Sequence, residues 1–511
     1  MHMENNQKRG IFNRFLDVVE RVGNKLPDPI VLFIILMFTI LGASFIGGML
    51  KWEAVNPADG ETIQAVNLLN GEGIVRIFTE AITNFSEFPP LGMVLVVMIG
   101  IGMAEKSGYF ETAMKRAIEV SPQKLILPAI ILVGIVGNVA GDAAPIILPP
   151  IAAMVVMKLG YHPFVGLVMA YAASLGAFAA NVIPGMTEAL ALAFTEPAAQ
   201  LIDPDYTGSL LMNYYFTAVA TVFLLAIVYF VTKKITVPRL GTYEGLETAD
   251  HEPLEKKEIV ALRWANISAL LTFIIFMVFL LPENAIFRNA ETGSIIQDSP
   301  FMNSIIFILT IFFFVPGLVY GLKAGTIRST KDFGSMLGDA MGTMGSYVVL
   351  VFFAAQMLAY FSWSNLGPII AIKGANALEA VNASGIPLII GFILLAGLIN
   401  LLIGSASAKW AILAPVFVPM FMLLGYDPAF TQMLYRIGDS FTNPITPMLP
   451  YLPLLLAFAQ RYDKNAGLGT LLSALLPYSI VLFFAWTILL IVWYLIGIPL
   501  GIDGPIYLPE S

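Results

Sequence analysis

The chain has 511 residues, is 58% hydrophobic and gives only 12% of its positions to Asp, Glu, Lys and Arg, about half the charged share of a soluble globular protein. Mean hydropathy is +0.81 and the formal net charge is −8, which excludes a water-facing fold of this size and leaves no basic stripe for nucleic acid. There is no Cys, the three His (His2, His162, His251) are scattered, and no Gly-rich loop ends in Lys-Ser/Thr, so disulfides, iron–sulfur clusters, thiol catalysis, Cys-zinc sites and ATP drive within this chain are excluded.

In chain order, the basic segment 1–28 (Lys8, Arg9, Arg14, Arg21, Lys25) precedes a long apolar run with no small-residue cleavage site. It predicts a retained first span with a cytoplasmic N-terminus. Spans are predicted at 29–49 and 88–104, with a poorly basic outside loop at 50–87 and an inside loop carrying Lys106, Lys115, Arg116 and Lys124. Residues 125–160 are too long for one span. They are interrupted by Gly137-Asn138-Val139-Ala140-Gly141-Asp142 and then by Pro145, Pro149 and Pro150, which predicts a re-entrant hairpin opening to the cytoplasm. A broken span at 164–195 and a span at 213–232 follow. The linker 233–263 holds six Lys and Arg (Lys233, Lys234, Arg239, Lys256, Lys257, Arg263) and is the clearest cytoplasmic loop. Spans at 264–281, 303–322 and 340–363 lead to a second hairpin at 386–425, broken at Gly404-Ser405-Ala406-Ser407-Ala408-Lys409-Trp410. A broken span at 428–459 and a last span at 470–498 end in an external tail, 499–511. The expected fold is therefore all-α and polytopic, with nine transmembrane helices and two re-entrant hairpins, and with no catalytic role.

The halves 29–232 and 264–498 resemble one another. When residues 143–163 are shifted by 265 onto 408–428, nine positions are identical, among them Pro150/Pro415, Gly160/Gly425, Tyr161/Tyr426 and Pro163/Pro428. A three-residue slip also matches Asn138 to Asn400, and Asn181 to Asn443. The charge count puts the two Gly-Tyr-x-Pro loops on opposite faces. Inverted repeats of this kind mark secondary transporters, with the site near the midplane where hairpin tips meet broken helices.

Ionisable groups at that depth need a partner or a purpose. Arg436 and Asp439 lie at i and i+3. They either pair with each other or divide the work, Arg436 with Lys409 drawing in an anion while Asp439 meets a proton or cation. Trp410 is either an interfacial anchor or an aromatic wall for substrate, and Ser405 and Ser407 either permit close packing or offer hydroxyls. Asp142 sits at the first hairpin tip. Glu188 is a proton carrier or a solvated surface group. Asn138, Asn181, Asn400 and Asn443 are either helix caps or carbonyl oxygens for Na⁺, the Asn181 and Asn443 regions being the candidate Na⁺ positions. No other cofactor is expected; the coupling ion is Na⁺ or H⁺.

At three stretches the chain resembles the p-aminobenzoyl-glutamate transporter (AbgT) family: Gly137 to Ala143, Gly404 to Trp410, and Arg436-Ile437-Gly438-Asp439-Ser440-Phe441-Thr442-Asn443-Pro444-Ile445-Thr446-Pro447. The resemblance starts at Leu26-Pro27-Asp28-Pro29 and runs over nearly the whole chain. It implies a homodimer of nine-helix protomers in a bacterial inner membrane, carrying p-aminobenzoyl-glutamate or exporting p-aminobenzoic acid and sulfonamides on an ion gradient. By the family motif, Ser407, Trp410, Arg436, Asp439 and Pro447 are substrate-site positions, and Glu188 stands where the family usually has Asp. An aromatic carboxylate suits these residues: a ring on Trp410, carboxylates on Arg436 and Lys409. A dicarboxylate carrier of related fold is the nearest alternative. An intramembrane enzyme lacks a His-based metal pair, and a channel would not saturate.

Overall fold

The computed structural model of the chain describes residues 29–508 apart from 56–59, 61, 141–142, 242, 244–253, 296–298, 343, 381–383 and 450. Asp142, the basic segment 1–28 and the middle of the linker 233–263 lie outside the described residues. The architecture is helical, with one antiparallel two-stranded ribbon, β1 (Glu53–Val55) and β2 (Thr62–Gln64), in which Glu53 faces Gln64.

The first half begins with α1 (Pro29–Met49), a single uninterrupted apolar run. After the ribbon come α2 (Gly71–Ser86), α3 (Pro89–Lys106) and the short α4 (Tyr109–Glu119). The hairpin follows as α5 (Ile126–Val136), a 3-10 turn at Gly137–Ala140 and α6 (Ala143–Lys158). Next are α7 (Pro163–Gly176), α8 (Met186–Ala199) and α9 (Tyr214–Val231), the last continued through a π turn to Leu240. In the second half, α10 (Lys256–Leu280), α11 (Ile305–Ala324), α12 (Thr330–Gly342), α13 (Gly345–Trp363) and α14 (Leu366–Ala380) lead to the second hairpin, α15 (Gly385–Asn400) and α16 (Ala406–Leu423). It closes with α17 (Pro428–Thr442), α18 (Tyr451–Tyr462) and α19 (Leu468–Ile496). Among the described residues six helices are long and apolar enough to cross a membrane, and eight if each of two bent pairs counts as one. The chain is thus an all-α multi-pass membrane protein.

Segments expected as plain loops carry structure of their own. The stretch 50–87 holds the ribbon and α2, an amphipathic helix that leaves Val75, Phe78 and Ile82 exposed. Its other side docks on α13: Phe85 lies edge-on to Phe352, and the Arg76 guanidinium sits 4.1 Å over the Trp363 ring. α4 turns by 120° into the first hairpin. Such helices escape a search for apolar runs because half of each surface is polar.

The sequence repeat becomes a repeat of local geometry. α6 and α16 end alike. Gly160 and Gly425 adopt φ of +80° and +84°, a left-handed cap that an L side chain resists. Each donates its N–H 2.9 Å to the carbonyl three residues back, Met157 or Met422. His162 and Asp427 then cap α7 and α17 through side chains that accept from Phe164 N and Ala429 N, with Pro at the first helical position of both. Small residues cross at equivalent points: a Cβ on Gly134 would lie 2.9 Å from that of Ala173, and one on Gly438 2.6 Å from that of Ala396. The halves also exchange parts. α8 of the first packs on α16 of the second, while α18 of the second packs on α6 of the first.

α7 and α17 form the centre. Every residue of both is buried, although α17 carries Gln432, Arg436, Asp439 and Ser440. By contrast, α10 exposes Leu270, Leu271, Phe273, Ile274, Ile275 and Val278, an apolar face suited to lipid. Within the segment given above as an external tail, residues 500–508 form a strap. Ile502 N donates to Leu211 O, Phe216 N to Leu500 O, Asp427 N to Ile506 O and Leu508 N to Gly425 O, at 2.9–3.0 Å. It therefore ties the start of α9 to the start of α17.

Gly438→Ala should lower the thermal midpoint of the purified protein in detergent, with a loss of about 1–3 kcal/mol from overpacking. Gly391→Ala, in α15 with nothing within 4 Å of its Cβ, should hold or raise that midpoint. Equal midpoints for both variants would deny the tight crossing.

Candidate substrate site

Where α7 stops at Gly176, the chain runs unwound to Gly185 before α8 starts. α17 breaks in the same way at the 3-10 turn Asn443–Ile445, with Pro444 and half-buried Pro447 preventing a simple continuation. The tip of the second hairpin, Gly404 to Trp410, lies against the chain just past the second break: a Cβ on Gly404 would touch Met448 O at 2.5 Å. The unwound stretch 177–185, the start of α8 and the hairpin tip thus converge on α17.

The two charges of α17 do not pair with each other. Arg436 Nη2 donates to Glu188 Oε1 at 2.6 Å and to Ala179 O at 3.3 Å, reaching across the halves. Asp439 Oδ1 pairs at 2.5 Å with the ammonium of Lys409, from the hairpin tip. Of the two readings open for these residues, an i,i+3 pair is set aside: side chains on one helical face reach separate partners when other elements press against that face. Glu188 is 8% exposed and not a solvated surface group. Its Oε2 accepts from Gly185 N at 2.7 Å and Thr187 Oγ1 at 3.0 Å. Lys409 is fully buried and also donates to Asn400 Oδ1.

Around Asp439 the amides are saturated. Asn400 Nδ2 donates to Asp439 O, Thr442 Oγ1 and Asn443 Oδ1 at 2.7–2.8 Å, and Asn443 Nδ2 donates to Asp439 Oδ2 at 3.1 Å. The oxygens expected to serve Na⁺ near Asn443 already receive donors, the Lys409 ammonium among them. Asn181 Oδ1 accepts from Val182 N and Ile183 N, and its unpartnered atom is the donor Nδ2, which suits an anion or water and not a cation. Asn138, the counterpart of Asn400, is fully buried with both amide atoms unpartnered. Of the four Asn it is the one with a free oxygen for a hard cation.

Trp410 is 1% exposed, so it is no interfacial anchor. Its ring stacks on Tyr435 with centroids 4.5 Å apart and planes 19° apart. Its Nε1 donates to Thr195 Oγ1 at 2.9 Å and Ala191 O at 3.1 Å, both on α8. Gln432 Nε2 also donates to Thr195 Oγ1, at 2.8 Å, and Asn213 Nδ2 donates to Gln432 Oε1 at 2.6 Å. Ser405 caps α16 by accepting from Ala408 N, and Ser407 lies 3.3 Å from it. A cavity of about 50 Å³ lies between these elements, walled by Thr187, Ser407, Trp410, Tyr435, Arg436 and Asp439. Tyr435, Gln432, Thr195, Thr187 and Asn213 were not singled out in the sequence. Gln432, one turn before Arg436 in a segment read as membrane-spanning, was the available signal; Thr195 and Asn213 gave none.

A family model described as "AbgT putative transporter family" matches residues 14–508. The p-aminobenzoyl-glutamate transport protein of Escherichia coli (strain K12) is 37% identical over 483 residues, which is 94% of this chain and 95% of that one. The crystal structure of the YdaH transporter of Alcanivorax borkumensis superposes with a TM-score of 0.89, at 37% identity over 93% of this chain and all of that one. MtrF of Neisseria gonorrhoeae, described as illuminating a class of antimetabolite efflux pumps, gives 0.90, at 40% identity over 96% of this chain and all of its own.

Lys409→Met and Asp439→Asn should each destabilise the folded protein by about 3–5 kcal/mol, because each strands a buried charge. The double variant should recover more than half of the summed loss in a double-mutant cycle. Additive losses would mean the two charges are not coupled.

Proposed function

The chain belongs to the AbgT transporter family, and on that premise we propose that it is a secondary active carrier of p-aminobenzoyl-glutamate or related p-aminobenzoate compounds. It works by alternating access, coupled to an ion gradient. The observation that carries the cargo is the stacked Trp410–Tyr435 pair beside the buried Arg436. Aromatic faces accept a benzoyl ring, and a guanidinium fork accepts a carboxylate. A small aliphatic dicarboxylate needs no such wall, so the dicarboxylate reading ranks below. The cavity of about 50 Å³ is far smaller than the ~300 Å³ or more that drug-sized ligands occupy. This supports a closed state, in which the site opens toward one side at a time as the hairpins part from the broken helices.

The inverted arrangement of the halves, the cytoplasmic N-terminus, the homodimer and the bacterial inner membrane belong to the same proposal. The coupling ion is Na⁺ or H⁺, with Asn138 as the oxygen donor for the former. A second reading, efflux of sulfonamides and p-aminobenzoic acid, is favoured by the 40% identity to the antimetabolite pump MtrF. Both readings use the same aromatic wall and differ in whether the cargo carries the glutamyl carboxylates.

Uptake of labelled p-aminobenzoyl-glutamate into proteoliposomes should saturate, respond to an imposed Na⁺ or H⁺ gradient, and fall by up to about tenfold in Trp410→Ala, the loss from removing one stacked pair. Saturable transport of p-aminobenzoate or a sulfonamide alone would select the efflux reading. Transport of none of these would reject the cargo.

A further inference from the structure

We propose that the Glu188 carboxylate occupies an anion subsite that a carboxylate of the cargo takes over during transport, with Glu188 leaving as the neutral acid. The inference rests on the anionic cargo of the preceding section. Three donors hold Glu188: the Arg436 guanidinium on one oxygen, and the Gly185 amide and Thr187 hydroxyl on the other. An amide at the mouth of a 14-residue helix, a hydroxyl and a buried guanidinium make a complete shell for any carboxylate. Glu188 fills it from within the first turn of that same helix, α8.

Neighbouring space and unpartnered atoms point the same way. A small cavity of about 10 Å³ adjoins the shell, bounded by Asn181, Glu188, Asn213, Tyr214, Thr217 and Arg436. It has room for about one water. Asn181 Nδ2 and Asn213 Oδ1 are buried there without partners. An incoming carboxylate would find in Asn181 a donor that Glu188 does not use. Arg436 also walls the chamber of Trp410 and Tyr435, so an aromatic acid can place its ring there and its charge on the shell.

Charge sets the coupling. Two carboxylates against one buried guanidinium repel, so the newcomer binds only as Glu188 gives up its charge. The balance is one proton gained by Glu188 for each cargo carboxylate seated on Arg436, and the reverse on release. The other charged and titratable groups around Glu188 do not change this count. On α17, Asp439 is already paired with Lys409 and the Tyr435 hydroxyl donates to Ala406 O. α9 presents Tyr214. α3 and α16 also pack on α8; α3 carries only Glu105 and Lys106, paired with each other, and α16 only Lys409.

The test is calorimetric titration of the purified full chain with p-aminobenzoyl-glutamate, p-aminobenzoate and uncharged p-aminobenzamide, repeated in buffers of different ionisation enthalpy. In the wild type the two acids should bind with uptake of about one proton, weakening about tenfold per pH unit on the alkaline side, and the amide without proton uptake. Glu188→Gln should bind both acids with no proton uptake and a flat pH profile. Glu188→Asp, which keeps the charge on a shorter arm, should keep the proton uptake and bind the acids more tightly. Acid binding without proton uptake in the wild type, or with it in Glu188→Gln, would overturn the subsite while leaving the cargo intact. No acid binding to the wild type or to either variant would instead reject the cargo reading, and the subsite with it.

Discussion

A charge inside a membrane-embedded core must be matched, and α17 carries two of them one turn apart. That constraint organises the protein. Arg436 is matched from the first half by Glu188, and Asp439 from the second hairpin by Lys409. Either charge left alone would cost several kcal/mol. α8, the hairpin tip and α17 are therefore fixed to one another by electrostatics as well as by packing. The break at 177–185 follows from the same need, because unwound backbone is what brings Gly185 N and Ala179 O to the charged groups. Hydrogen bonds of the broken segments are completed by side chains: Ser440 Oγ accepts from Ala179 N and donates to Arg436 O.

Much of this was legible in one dimension. The apolar run of α1, the interruption at Gly137 and Asn138, the hairpin tip at Lys409 and the repeat all follow from composition and spacing. What was illegible was partnership. Three residues bring Arg436 and Asp439 to one face, which left open whether they pair, and their partners lie 248 residues away and on another helix. Trp410 was marked by its place at the hairpin tip, but Thr195, which fixes its ring, is an ordinary threonine between Phe194 and Glu196 in α8. Elements with one polar face, α2 and α4, were missed because a charge count reads them as loop.

The two halves share a frame and differ in chemistry. At equivalent positions the first half has Ala144, Tyr171 and Ser174 where the second has Lys409, Arg436 and Asp439. The caps, the left-handed glycines and the small-residue crossings are kept, because they set the backbone. The ionisable residues are not kept, because one copy of each suffices at a shared centre. Asn138 shows the consequence: it has the burial of Asn400 without the ammonium that completes Asn400's shell.

The strap at the C-terminal end has a mechanical meaning. Its hydrogen bonds and the close approach of Gly501 and Gly504 to the backbone at 211–214 weld the origins of α9 and α17 together. A lever fixed at one end swings most at the other. Any displacement of α17 would thus be smallest at Asp427, grow toward Arg436 and Asp439, and be largest at the Asn443 break, with the strap's own end of the molecule as the fulcrum.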